Sequence, residues 1–198
     1  MKNRIFLTAC LFMAALSARG QSDTISSSDK KKIRYTNSFL AGALLGKKGN
    51  GSYTSITTIH GIRYNRLAVG LGTGYEGYTD WRVLPILGSV SYDFVRIKQN
   101  SFFVQVNGGY SIAYHTAERE DYQEYERGKG KTFSGLIGYR IKANKFSIYI
   151  SSGYKFQRIK YSYSPIYWWD SSGELDPPKT TVQRDMERFI VQIGFGLN

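Results

Sequence analysis

Two histidines, His60 and His115, are the only imidazoles in the 198-residue chain, and neither stands in ligand spacing with another His or Cys. No metal centre is therefore expected. His115 comes nearest to a hydrolytic set, with Ser111 four residues before it and Glu118 and Glu120 just after. A Ser–His–acid arrangement transfers acyl groups only when serine and imidazole share a hydrogen bond. Ser111, four residues away on the same extended strand, is poorly placed for that, so no catalytic residue is assigned. Gly70, Gly72 and Gly74 are followed by neither a Lys-Ser/Thr pair nor a helix, so they make no phosphate loop. The acidic stretch 118–126 lacks the EF-hand pattern. No cofactor is implied. What remains is ion-pair chemistry, from Arg63, Asp93 and Arg140 and from Glu76, Lys155 and Arg188. Each lies inside a run that otherwise alternates between apolar and small or polar residues.

Those runs are the elements that must position the charges. Val104, Val106, Tyr110, Ile112 and Tyr114 alternate with Gln105, Asn107, Gly109, Ser111 and Ala113. Phe189, Val191, Ile193, Phe195 and Leu197 alternate with Gln192, Gly194, Gly196 and Asn198. A period of two is the signature of strands with two unlike faces. Eight such strands follow, at about residues 33–45, 53–64, 67–79, 83–95, 102–117, 131–141, 146–163 and 182–197. Pro85 has no N–H for the ladder and predicts a bulge or a frayed start in the fourth. Connections at Asn65-Arg66, Lys98-Gln99-Asn100 and Ala143-Asn144-Lys145 are short, whereas 118–130 and 164–181 are long and polar.

The chain begins with Lys2 and Arg4, an apolar stretch at residues 5–16, and small residues at Ala18 and Gly20. This predicts a signal peptide at 1–20, cleaved before Gln21. Cys10, the sole cysteine, lies in the apolar stretch, and Leu7-Thr8-Ala9-Cys10 is not read as a lipidation box. Residues 21–32 are polar and Ser-rich and predict a flexible periplasmic lead-in; 33–198 form one domain. Of 27 basic and 15 acidic side chains, the leader holds three basic ones, so the mature chain is near +9. Basic residues scattered among turns, without a recognition helix, argue against nucleic acid. Anionic lipid or polysaccharide fits better, because a positive surface attracts polyanions.

A sheet in hydrocarbon must close on itself, since its backbone polar groups find no water there. An even number of strands with alternately short and long connections fits an outer-membrane barrel, with both termini on the periplasmic side. The chain resembles the small outer-membrane β-barrel proteins of Gram-negative bacteria, the porin-like OmpA/OmpX-type group. The matching residues are the leader, Gly74-Tyr75, Gly109-Tyr110, Leu84-Pro85-Ile86 and the closing 189–198 strand. Asn198 stands where such proteins commonly end in an aromatic residue, with Phe195 nearby. The resemblance implies an all-β, eight-stranded, antiparallel up-and-down transmembrane β-barrel located in the cell outer membrane. It also implies passage through the barrel-assembly machinery.

Within that barrel Tyr64, Tyr92, Phe94, Phe102 and Phe146 are expected in a periplasmic aromatic girdle, and Tyr75, Tyr114 and Tyr154 in the outer one. By parity the six charged residues turn inward. Arg63, Asp93 and Arg140 lie low; Glu76, Lys155 and Arg188 lie higher. Two interior ion clusters acting as a polar plug are expected, because buried charges persist when paired. Above the membrane, Tyr161 and Tyr163 and the loop residues Tyr167, Trp168 and Trp169 are candidates for surface interaction, including strand addition. The expected protein is a monomer with a structural or surface-interaction role and no enzymatic activity. Outer-membrane lipids and lipopolysaccharide are its expected partners. A narrow solute or ion pore, a lipid A-modifying enzyme and a secreted water-soluble barrel with an apolar cavity are the alternatives.

Overall fold

Backbone hydrogen bonding closes the chain on itself. The computed structural model describes residues 33–46, 51–116, 123–143, 145–165 and 179–197. They form β1 (Ile33–Leu45), β2 (Ser52–Tyr64), β3 (Leu67–Gly77), β4 (Trp81–Ile97), β5 (Asn100–His115), β6 (Gln123–Tyr125), β7 (Gly128–Ala143), β8 (Phe146–Pro165) and β9 (Thr180–Leu197). Every pairing is antiparallel. The ring runs β1, β2, β3, β4, β5, β7, β8, β9 and returns to β1. The short β6 pairs with the far end of β8 and takes no part in closure. The predicted signal peptide and lead-in lie outside the described residues.

One row of directly paired residues shows how the wall is built. Tyr35, Ile62, Val69, Val90, Val106, Gly135, Tyr154 and Phe189 succeed one another across the strands. The row then meets β1 again at Leu45, ten residues beyond its start at Tyr35. That offset is the stagger a tilted, closed sheet requires. All but Gly135 are large apolar or aromatic residues on the outer face, where Leu71 and Tyr110 are 74% and 68% exposed. Tyr64, Tyr92, Phe94, Phe102 and Phe146 are likewise exposed, near the short turns. An outward apolar face with polar residues enclosed is the polarity of a barrel solvated by acyl chains.

Two local devices differ from the sequence reading. Pro85 is fully buried and paired with Ser111 in β5. Its missing N–H interrupts the β3–β4 ladder between Thr73↔Ile86 and Glu76↔Val83, but the register is the same on both sides. The bulge lies at Asp93/Val95, where β4 gains one residue against β5. It reverses the alternation, so Arg96 comes to stand opposite inward Ser101. The two-residue turns at Asn65-Arg66 and Lys98-Gln99 begin at left-handed residues, with φ of 54° and 55°. Such turns match the twist of the flanking strands.

The enclosed face is less polar than alternation alone implies. Leu40, Ile59, Phe103 and Tyr149 form one apolar cluster, and Leu44, Val83, Leu136, Ile159 and Ile190 belong to a second. Small residues make room for them. A Cβ on Gly109 would lie 1.9 Å from the Ile86 carbonyl oxygen, so only glycine permits the backbone approach there.

Candidate functional site

Toward the short-turn end, three strands and the bulge converge on Asp93. This carboxylate is fully buried. Its Oδ2 accepts from Arg63 Nη1 at 3.0 Å and from Arg140 Nη2, which also donates to Ser101 Oγ at 2.8 Å. Arg96 Nη2 approaches the same oxygen at 3.5 Å, with its side chain 38% exposed. One carboxylate thus faces three guanidiniums. Sequence parity missed Arg96, because the bulge that turns it inward leaves no mark in the alternation. Beside the cluster lies a cavity of only about 40 Å³, lined by Ser89, Gln105, Arg140 and Tyr149 among others.

Midway up, neutral polar side chains satisfy one another. Gln105 Nε2 donates to Asn107 Oδ1 at 2.9 Å, and Asn107 Nδ2 donates to Ser134 Oγ at 3.0 Å. Gln157 Nε2 donates to Ser111 Oγ at 2.6 Å. Ser111 is therefore bound to Gln157, and it donates to the Gly130 carbonyl at 3.4 Å.

Higher still, Glu76 is fully buried and is ion-paired to Lys155 Nζ. Its second oxygen accepts from the Tyr78 hydroxyl at 2.9 Å. Burial, reinforced by the Glu76 charge, pushes the Tyr78 phenol well above its ordinary range, so it remains a donor. Arg188 lies on the same inner face but pairs with no carboxylate among the described residues. Its guanidinium carbon sits 5.3 Å from the Tyr53 ring centroid, a cation–π distance, and its Nε is buried with no hydrogen-bond partner. The structure thus brings together Arg63, Asp93 and Arg140, and separately Glu76 with Lys155, while Arg188 stands above the second group.

The outer mouth corrects the expected rim. Tyr161 is buried, not exposed: its ring packs 4.5 Å from Trp81, and Tyr125 of β6 closes over both. Tyr163 is half-buried against Tyr125. The expectation failed because β6 and Trp81 are brought there by other strands. Nor does the raised part of β8 offer a free edge at these residues, since β6 and β9 flank it. Tyr167, Trp168 and Trp169 lie outside the described residues, as do Glu118 and Glu120. His115 stacks on Tyr125, with centroids 3.8 Å apart and planes 11° apart. His60 faces outward, bonded to the Tyr35 hydroxyl at 2.6 Å and to Thr58 Oγ1 at 3.1 Å. Both imidazoles are engaged in packing or hydrogen bonds away from Ser111.

No protein-family model and no curated protein matches the sequence. Among solved structures, the chain is similar to Neisserial surface protein A (NspA), at TM-score 0.56 and 14% identity, over 84% of this chain and 98% of that one. It also matches the outer membrane protein AlkL, solved in lipid bilayers, at TM-score 0.47 and 14% identity, over 90% and 95%. The eight-stranded closure, the apolar exterior and the likeness to NspA show that this chain has the fold of a small eight-stranded outer-membrane β-barrel.

Proposed function

We propose that the protein is a structural and surface-interaction barrel of the outer membrane, acting through its outer rim and loops and not through a central conduit. The observation that supports this most is the pair of buried ion clusters across the lumen, Asp93 with Arg63 and Arg140, and Glu76 with Lys155 and Tyr78. An eight-stranded barrel has an interior that side chains can fill. Here charged, amide and apolar groups occupy it in successive layers. The engagement of His60 and His115 away from Ser111 favours a non-catalytic role.

On this reading residues 1–20 are removed on export, and the barrel reaches the membrane through the assembly machinery. Its lasting partners are outer-membrane lipids and lipopolysaccharide. A monomer is part of the same proposal, and closure of the sheet within one chain supports it. The test is planar-bilayer recording of the wild type and Glu76→Gln, with mobility on gels before and after boiling as the check of folding. Neither protein should carry a sustained current. A large rise in conductance in Glu76→Gln would instead make the upper cluster a gate and the protein a pore. A change in lipid A mass on expression would favour the enzyme.

A further inference from the structure

Charge is divided unevenly between the two ends of the barrel. Among the described residues, eight basic side chains stand at the short-turn end against a single carboxylate, Asp93. Arg34, Arg66, Arg96, Lys98 and Lys145 are exposed there, Lys142 is half-buried, and Arg63 and Arg140 bind Asp93. The other described carboxylates, Glu76, Asp80, Glu124, Glu126, Asp185 and Glu187, lie toward the opposite mouth. Residues 21–32 bring Lys30, Lys31 and Lys32 against Asp23 and Asp29, so they do not reverse the balance. The acidic stretches 118–122 and 166–178 join strand ends at the other mouth.

Two tight turns carry the densest part of that charge. They lie at Asn65-Arg66 and Lys98-Gln99, and each begins at a left-handed residue. Arg96 donates to the Asn65 carbonyl and, at 3.3 Å, to Asn65 Oδ1. It thereby ties one turn to the next and keeps Arg66 and Lys98 on neighbouring tips. Across the β1–β2 ladder Arg34 stands directly opposite Arg63. Like charges so placed destabilise a sheet, and an anion beside them offsets the repulsion. Tyr64, Leu67, Ile97 and Phe146, all exposed, border the same turns. They mark the edge of the apolar band, which is the depth of lipid headgroups. The cavity beneath holds only about 40 Å³, so an anion is met at the rim and not enclosed.

We propose that this rim binds the phosphodiester headgroups of anionic phospholipids in the periplasmic leaflet, with Arg66, Arg96 and Lys98 as its principal seat. Guanidiniums match phosphate oxygens with paired donors, and lysine adds a compact point charge. A membrane surface is favoured over a soluble polyanion because the leaflet surrounds the rim at its own depth, within a Debye length of the charges. Tight turns already fixed in place lower the ordering cost of binding. The proposal deepens the reading of membrane lipids as lasting partners, and it rests on the short turns being periplasmic.

The test is native mass spectrometry of the full mature barrel in a non-ionic detergent, with heat-dependent gel mobility as the check of folding. The probes are phosphatidylglycerol, phosphatidylcholine with the same acyl chains, and a polyglutamate peptide. Phosphatidylglycerol should be retained over phosphatidylcholine. Arg66→Gln and Lys98→Asn should each lower that preference about fivefold, the change expected for one cation beside an anionic surface. Asparagine is chosen at 98 because it tolerates the left-handed backbone there. Lys160→Gln, exposed near the opposite mouth, should leave the preference unchanged. Equal retention of the two lipids, or a loss in Lys160→Gln as large as in Arg66→Gln, overturns the site. Stronger retention of polyglutamate than of phosphatidylglycerol overturns the lipid assignment in favour of an acidic chain. Orientation is read separately from Lys98→Cys in whole cells, since the predicted mature chain has no other cysteine. A membrane-impermeant maleimide should label it only after lysis; labelling of intact cells overturns the periplasmic placement, whatever the lipid retention shows.

Discussion

Replacing Asp93 with Asn tests the lower cluster most directly, because one carboxylate holds three arginines. Arg63 and Arg140 donate to the same oxygen, with side chains only 15% and 8% exposed. Their donor nitrogens are therefore roughly 5 Å apart, and at an effective dielectric constant near 20 their mutual repulsion is about 3 kcal/mol. Asp93 offsets that repulsion; Asn does not. Leaving buried charge unpaired costs about 3–5 kcal/mol. Arg63→Gln and Arg140→Gln should cost less, about 1.5–3 kcal/mol each, since each removes a repulsion along with an attraction. Arg96→Gln should cost at most about 1 kcal/mol, because that side chain is partly solvated. The assay is urea unfolding of the refolded barrel in lipid vesicles. With a slope near 2 kcal/mol/M, the midpoint of Asp93→Asn should fall by roughly 1.5–2.5 M. A midpoint within about 0.5 M of the wild type, or a larger loss in Arg140→Gln, would refute the reasoning.

Two further outcomes follow from the wall. Val106→Arg places a charge on the outward row beside Val90 and should destabilise the barrel in vesicles by about 2–4 kcal/mol, whereas Val106→Leu should be nearly silent. An unchanged urea midpoint in Val106→Arg would contradict the lipid-facing assignment. Gly109→Val should fail to reach the heat-modifiable folded form, because its Cβ meets the Ile86 carbonyl; a wild-type yield of that form would count against the close approach.

Alternation carried most of the architecture. Strands rich in contrast, such as β5 and the lower half of β9, could be read residue by residue, and parity put all six charged residues on the inner face. Parity gives a side but not a partner, which is why Arg188 is found over Tyr53 and not in the Glu76 pair. Where both faces are apolar, as at Leu40, Ala41, Ala43, Leu44 and Leu45, the period loses contrast. The inward Leu40 and Leu44, and with them the apolar layers, were accordingly invisible. The bulge at Asp93/Val95 was illegible for a related reason: Phe94 and Val95 both face outward, and nothing local marks the slip that turns Arg96 in. At the mouth the strand ends do not follow the alternation, and Gln123–Tyr125 adds a short strand there. The tilt of the wall lets Trp81, Tyr125 and Tyr161 meet there from three separate strands.

The ladders around the barrel are unequal in length. β8 and β9 are zipped from Phe146↔Leu197 to Tyr163↔Thr180, but β9 meets β1 only from Phe39 to Leu45. Below that stretch Asn37 Oδ1 accepts from the Leu197 N–H at 2.7 Å, and Thr36 Oγ1 reaches the Leu197 carbonyl at 3.5 Å, like two stitches past the end of a seam. A chain drawn outward under mechanical load would part first along this junction. The β8–β9 hairpin would outlast it as the last intact pair, and during insertion the same junction would be the final one to latch.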